Sequence, residues 1–506
     1  MPLSDQQFTG RIDRRTPRNS GDYSRPYLRE NWLSRDGVLR MPQGTFRVVT
    51  STITAQIEWM GRYHTIETGA ISPKTFAYSK DGKIWYIDNL ARTATEVATT
   101  LNPNAFPRHW LYKVLTQTKM YLVDGKDLWK YDGNNDNIFE KITITDTDSN
   151  PILPIDVIEH KDRLCLLSKA FIYISKNLEP EVYNDSTDCI QIIVGSGKGE
   201  NLAFGKIPGN DTLYVLNTEG IFALYGDTLS AVASTFEIRL VDGRKIIAGR
   251  TAQFVENAIV FLADDYNIWS FNGSTSTKLS HDEKLEDFVN RNRDMLNKAV
   301  ATYYNNYYML SFVETGEADN KLEIWWDALE NKCEFVRGRN VSCYLYVDPT
   351  VEAPFQQLGR SDINMIMWAD QGYNFDDIAI DSKLWTKDIT IKKGKNIRFL
   401  GFYPELESQG AREIHIKYFL DGRLGDVSGN AQWTQSLEGE YRSLGAIRIK
   451  NQSQFTDVVR PKINYAKGQS IAFYINYKEK DGRCDFKGIG LEYAGKEIKS
   501  VKTVGG

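Results

Sequence analysis

Hydrophobic and polar positions alternate with a period of two over most of the chain, and short polar turns break the alternation at regular distances. Period two marks strands with one face toward a core. The alternation is organised as a repeat. Each copy has a period-two stretch, a turn, and then an aliphatic residue followed by an aromatic one. The clearest copies are 78–89 and 121–133; a weaker one at 163–175 and two more at 212–226 and 258–273 follow. Two degenerate copies surround 324–327 and 366–370. Asp81-Gly82, Asp124-Gly125, Glu219-Gly220 and Asp265-Tyr266-Asn267 supply the hairpin turns. The aromatic marks are Trp85, Trp129, Tyr173, Phe222, Trp269, Trp325 and Trp368, at intervals of 44, 44, 49, 47, 56 and 43. A period of about 40–50 residues with four short strands per unit predicts propeller blades. A four-stranded sheet cannot bury both faces alone, so blades stack around an axis. Six or seven blades are expected over 45–380.

The helical period occurs once, at 282–296, where Leu285, Phe288, Val289 and Leu296 share one face. Ser280 and Glu283 suit a capping box at its start. This predicted helix falls in the 56-residue interval and reads as an insertion between blades. The pattern changes near Ser382. The marked hairpins stop, and alternating strands are predicted at 397–403, 413–420, 446–450, 470–477 and 486–493. Asp421-Gly422 and Asp481-Gly482 serve as turns. This predicts a C-terminal β-sandwich of jelly-roll type over 381–506. Residues 1–44 carry no useful period and read as an extended arm, of a kind that gains order on a neighbouring subunit. The fold class is therefore all-β.

Composition sharpens this reading in two places. Aromatic residues reach 12%, including 27 Tyr and 11 Trp, which favours β-structure because flat rings pack well on a pleated surface. The net charge of −4 hides a division into three parts. Eight Arg, no Lys and five acids give +3 over 1–40; 22 basic and 15 acidic residues give +7 over 381–506, leaving −14 for 41–380. The N-terminus lacks the apolar core of a signal peptide, and no apolar run is long enough to span a bilayer, so synthesis in a cytoplasm is expected. Five Cys without a C-x-x-C pair argue against a disulfide framework or a zinc ribbon, and predict buried thiols. The five His stand apart from one another, without helical metal-site spacing.

Each candidate for chemistry has a simpler reading. The stretch Ser79–Trp85 is similar to the Asp-box turn of sialidase-type propellers, one residue short, and that turn is structural. Asp264-Asp265 and Asp376-Asp377 are the obvious acidic pairs for glycoside cleavage. Sequence neighbours in a strand point to opposite faces, so adjacency makes no dyad. The glycine-rich loop at 195–200 lacks the Lys-Ser/Thr and the following helix of a phosphate loop. Tyr303, Tyr304, Tyr307 and Tyr308 read as packed strands around an Asn305-Asn306 turn rather than a sugar platform. No catalytic, cofactor-binding or metal-ligating residue is expected, and no enzymatic activity.

Three stretches together resemble the β-propeller tail proteins of tailed bacteriophages, of the packaged-DNA-stabilisation or tail-hub type in short-tailed phages. The first is 30–44 (Glu-Asn-Trp-Leu-Ser-Arg-Asp-Gly-Val-Leu-Arg-Met-Pro-Gln-Gly), similar to the segment leading into the propeller. The second is the insertion followed by 299–312. The third is 484–493, similar to the last strands of the terminal sandwich. The resemblance implies a structural virion protein, with copies of itself in a ring or hub around the DNA channel. Its partners would be portal or adaptor-side proteins and distal tail proteins, and genomic DNA would pass without sequence-specific binding. The ring would retain the genome until ejection. An acidic middle segment suits a wall that cargo slides past. The alternative reading is a glycan-binding or glycan-cleaving propeller acting in receptor recognition, which requires a pocket lined by acids, Arg and aromatics.

Overall fold

The computed structural model describes residues 3–6, 11–14, 25–35, 38–65, 73–114, 117–227, 234–281, 283–347, 355–390, 397–408, 412–420, 447–449, 467–478 and 480–495. Seven four-stranded antiparallel blades form, five as separate sheets and two as parts of larger sheets. Blade 1 begins with Ile57–Tyr63, blade 2 with Arg108–Val114, blade 3 with Asp156–His160 and blade 4 with Asn201–Lys206. Blade 5 begins with Gln253–Val255, blade 6 with Val300–Tyr304 and blade 7 with Val341–Val347. These first strands pack side by side around an axis, that of blade 7 against that of blade 1. The chain is a seven-bladed β-propeller. The fourth strand of blade 7 comes from far upstream: Thr45–Arg47 pairs antiparallel with Ile366–Ala369 and closes the ring.

Because neighbouring blades cover both faces, second strands are the most buried, several of them along their whole length. Arg163–Leu167, Leu213–Asn217 and Tyr307–Val313 have no exposed residue. Outer strands such as Thr93–Thr100 and Glu237–Asp242 are largely exposed. All seven aromatic marks lie on third strands. In blades 1 to 5 the aliphatic member of each pair faces the next blade and the aromatic member faces the preceding one. Ile84 and Trp129, for example, share one core between blades 1 and 2, while Leu128 and Tyr173 share the next.

Blades 6 and 7 reverse this arrangement. Ile324 packs toward blade 5, and it is Trp326, not the predicted mark Trp325, that faces that blade. Trp325 joins a different core, and Trp368 faces onward to blade 1. A shift of one residue turns every side chain of a strand to the other face. The repeat pattern alone therefore names the right strand and the wrong tryptophan.

The predicted helix at 282–296 is replaced by two short pieces, a 3-10 turn at Leu285–Asp287 and one α-turn at Arg293–Leu296. Lys284 is left-handed (φ 52°), and Val289 bridges to Glu314. Ser280 caps nothing: its hydroxyl donates to Asn267 Oδ1 and accepts from the Ile268 N–H. The observed cap is Asn292, whose side chain accepts from the Asp294 N–H. The apolar residues that suggested a helix are instead pulled singly into the core between blades 5 and 6.

All five predicted C-terminal strands are present, as Ile397–Ser408, Arg412–Leu420, Ile447–Ile449, Ser470–Tyr477 and Cys484–Gly495. They lie in two sheets. The Asp421-Gly422 turn and the remaining strands of a jelly-roll order fall outside the described residues. The N-terminal segment was expected on a neighbouring subunit, but its described strands lie on their own chain. Leu28–Glu30 is inserted between Lys332–Arg337 of blade 6 and Ser382–Trp385, so blade 6 runs on into a C-terminal sheet. Leu33–Arg35 and Val38–Arg40 form a hairpin on Cys484–Gly495 in the other sheet. Trp32 is fully buried where these sheets and blade 6 meet.

That junction contains charge. Arg29 donates from Nε and Nη2 to the Glu334 carboxylate at 2.7 and 2.6 Å, with both side chains buried. Lys387 pairs with Asp13 at 2.6 Å, also buried. These pairs tie the N-terminal segment to blade 6 and to the C-terminal sheet.

Candidate functional site

The first strands of all seven blades leave a cavity of about 370 Å³ on the propeller axis. Four ionisable side chains meet there: Glu58 of blade 1, Arg108 of blade 2, Asp156 of blade 3, and Arg250 from the turn that enters blade 5. Three of them stand at the starts of their strands and so share one end of the axis. Glu58 owes its position to a β-bulge: Ile57 pairs with Ser79 and Trp59 with Tyr78, leaving Glu58 unpaired between them. Such bulges re-aim one side chain. A matching bulge across the interface frees Ser342 of blade 7.

Arg250 spans the two bulges. Its Nη2 donates to the carbonyls of Glu58 and Ser342, both at 2.8 Å, and its guanidinium lies 4.6 Å from the Phe106 ring centre. Its Nη1 is buried and makes no hydrogen bond. The nearest carboxylate oxygen is Glu58 Oε2, at 3.6 Å. On the other side, Arg108 Nη1 donates to Asp156 at 3.1 Å, and Asp156 also accepts the Phe204 and Val157 N–H groups. Burial raises the pKa of Glu58 against the opposing pull of Arg250, Lys80 and Lys298, and raises that of Asp156 against Arg108. Desolvation and nearby His64 bring the His109 imidazole down to about 4, and it accepts the Trp59 indole N–H. A second hollow of about 350 Å³ shares Glu58 and is bordered by Lys80, Asp294 and Lys298.

The residues weighed from sequence lie elsewhere. Asp264 pairs with Arg244, while Asp265 accepts the Trp269 indole N–H at 2.9 Å and faces Lys278. Asp376 is held by Arg47 and Arg360, and Asp377 by Lys480. Neither acidic pair converges on a common space. The loop at 195–200 encloses a carboxylate of its own: Glu219 accepts the Ser196 N–H and hydroxyl. That negative charge occupies the place a phosphate would need. Asn305 and Asn306 both have positive φ and form the two-residue turn of the tyrosine hairpin, as expected. Tyr308 is buried, with its hydroxyl donating to the Thr251 carbonyl.

The Asp-box-like turn is structural. Ser79 donates to Asp81 and accepts the Trp85 indole N–H at 2.8 Å. Blade 2 does the same directly, with the Trp129 indole donating to Asp124 at 3.1 Å. All five cysteines are buried and unbridged. Among the described residues no cluster of His, Cys, Asp and Glu could hold a metal ion, and no helix is long and apolar enough to cross a membrane.

Sequence reading missed the axial set. The signal was present as a charged or polar residue beside a tryptophan in consecutive first strands, Glu58-Trp59 and His109-Trp110. Without the bulge, Glu58 counts only as a strand's polar position.

No protein-family model and no curated protein matches this chain. Solved structures that are similar include the β-propeller domain of Cps50 (Swd1) from Myceliophteria thermophila. It is 9% identical, has a TM-score of 0.39, and the match covers 65% of this chain and 99% of that one. The computationally designed protein Ika8 is 11% identical, with a TM-score of 0.35 and coverage of 71% and 100%.

Proposed function

We propose that this chain is a structural protein of a bacteriophage tail, one subunit of a ring or hub around the DNA channel that retains the genome and anchors other tail proteins. One observation carries the reading. The three stretches that resemble phage tail propellers are hundreds of residues apart in sequence, yet they share one core. Trp32, Leu39 and Met41 from the first, Tyr307 and Met309 from the second, and Cys484, Phe486, Ile489 and Leu491 from the third pack together. The resemblance thus concerns the junction that locks propeller and C-terminal sheets into one body. A part that transmits load between tail layers needs such a junction. The excess of acid over 41–380 and of base over 381–506 gives the two parts opposite signs for docking on different neighbours.

The test is the assembly state of the purified chain, by light scattering and negative-stain imaging, alone and mixed with tail or portal proteins. Closed rings or a stable complex with those proteins are expected. A monomer that joins none of them at any concentration would overturn the reading.

A further inference from the structure

We infer that the axial cavity is a binding site for a neutral polyhydroxylated ligand, one or two sugar rings in size. A cavity of this volume lies within the range of small-molecule sites. Its lining carries two carboxylates, Glu58 and Asp156, and two guanidiniums, Arg108 and Arg250, so its formal charges cancel. An ionic ligand would leave the site with a net buried charge, which is costly. A neutral ligand does not.

The arrangement of donors and acceptors selects hydroxyl groups. Arg250 Nη1 is buried and ion-paired with Glu58 Oε2 at 3.6 Å, longer than a direct hydrogen bond. An oxygen about 2.8 Å from each atom closes that gap. It must accept from the guanidinium and donate to the carboxylate, which a hydroxyl does and an amide or carboxylate oxygen does not. The walls between the charged groups include Trp59 and Trp110, and Phe254 stands 37% exposed at the rim. Flat aromatic faces suit the C–H faces of a sugar ring. A charged residue turned into the cavity by a bulge fits a binding site, since bulges re-aim side chains next to such sites.

The test uses the full chain and a panel of free sugars: glucose, galactose, mannose, N-acetylglucosamine and their β-linked disaccharides. Binding is read by saturation-transfer NMR and by titration of tryptophan fluorescence. At least one sugar should bind saturably, with Kd below about 10 mM. Phe254→Ala leaves the interior intact and should weaken that binding about tenfold, as should Glu58→Gln; an unchanged melting temperature in Phe254→Ala keeps the readout apart from folding. Three results would overturn the inference: no saturable sugar binding, which means the cavity holds only water; binding indifferent to both substitutions; or inorganic phosphate bound more tightly than any sugar. None depends on whether the chain forms a ring, so this inference and the tail reading stand or fall separately.

Discussion

The interfaces between blades 1 to 5 and the junction of blade 6 with the terminal segments solve the same problem with different materials. Away from the axis, where Arg108 pairs with Asp156, the contact between the early blades is largely apolar. The indole N–H groups of Trp85, Trp129 and Trp269 are satisfied within their own hairpins by Ser79, Asp124 and Asp265. At the junction the satisfied groups are full charges from distant parts of the chain, Arg29 with Glu334 and Asp13 with Lys387. Apolar contacts tolerate repetition, since any aliphatic residue of suitable size fills the space. A buried ion pair is unforgiving: it accepts one register and one partner. The repeat region therefore gains stability from many interchangeable contacts, and the junction gains a unique geometry from a few.

The sharpest way to break the comparison is to remove one partner from the junction. Arg29→Met leaves the Glu334 carboxylate buried without its bidentate partner, and a loss of about 3–5 kcal/mol in unfolding free energy is expected from chemical denaturation. Combining it with Glu334→Leu should recover much of that loss, because two apolar side chains of similar volume leave no charge behind. If the single and double variants are equally unstable, the junction is held by packing and not by charge.

A buried titratable group inside the repeat region sharpens the contrast from the other side. His160 ends the first strand of blade 3, is 2% exposed, and is brought down to about 4 by desolvation and by Lys206 and Lys161. Its folded pKa lies below the 6.5 of the unfolded chain. As pH falls below 6.5 the unfolded chain takes up the proton first, so stability is full above that value and is lost progressively down to pH 4. The slope is about 1.4 kcal/mol per pH unit, or up to about 3 kcal/mol across the window. His160→Gln should flatten this part of the stability profile and leave the profile above pH 7 unchanged.

The same division explains what could be read from the sequence. The blades were legible because each is local: a strand, a turn residue and an aliphatic–aromatic pair lie within about 15 residues, and the physics repeats. The five C-terminal strands were legible for the same reason. What was hidden depends on residues that meet across the chain. Leu28–Glu30 has no period because three residues give no alternation to detect, and its place in blade 6 is fixed by Glu334, some 300 positions away. The Trp325/Trp326 exchange was hidden because both are apolar and only the reversed facing of blade 6 decides between them. The axial charges were hidden because a bulge, not a pattern, turns Glu58 inward.

Within the repeat, the turn carboxylates grade the comparison more finely. Asp124 is 4% exposed and accepts four donors: the N–H groups of Asn102, Lys126 and Asp127, and the Trp129 indole. Asp124→Ala leaves several of these buried and unpaired, and should cost about 2–3 kcal/mol.

Asp265 occupies the equivalent turn in blade 5 but is a third exposed, and it accepts from the Asn267 N–H, the Trp269 indole and, at 3.4 Å, the Lys278 ammonium. Water reaches that turn and replaces what the carboxylate provided. The Arg244 guanidinium, 3.7 Å from the Trp269 ring centre, continues to hold the indole in place. Asp265→Ala should therefore cost only about 1 kcal/mol, measured in the same denaturation series. A loss equal to that of Asp124→Ala would mean that the repeated turn, and not the solvent around it, sets the energy. The interfaces of blades 1 to 5 would then be less interchangeable than their sequence pattern suggests.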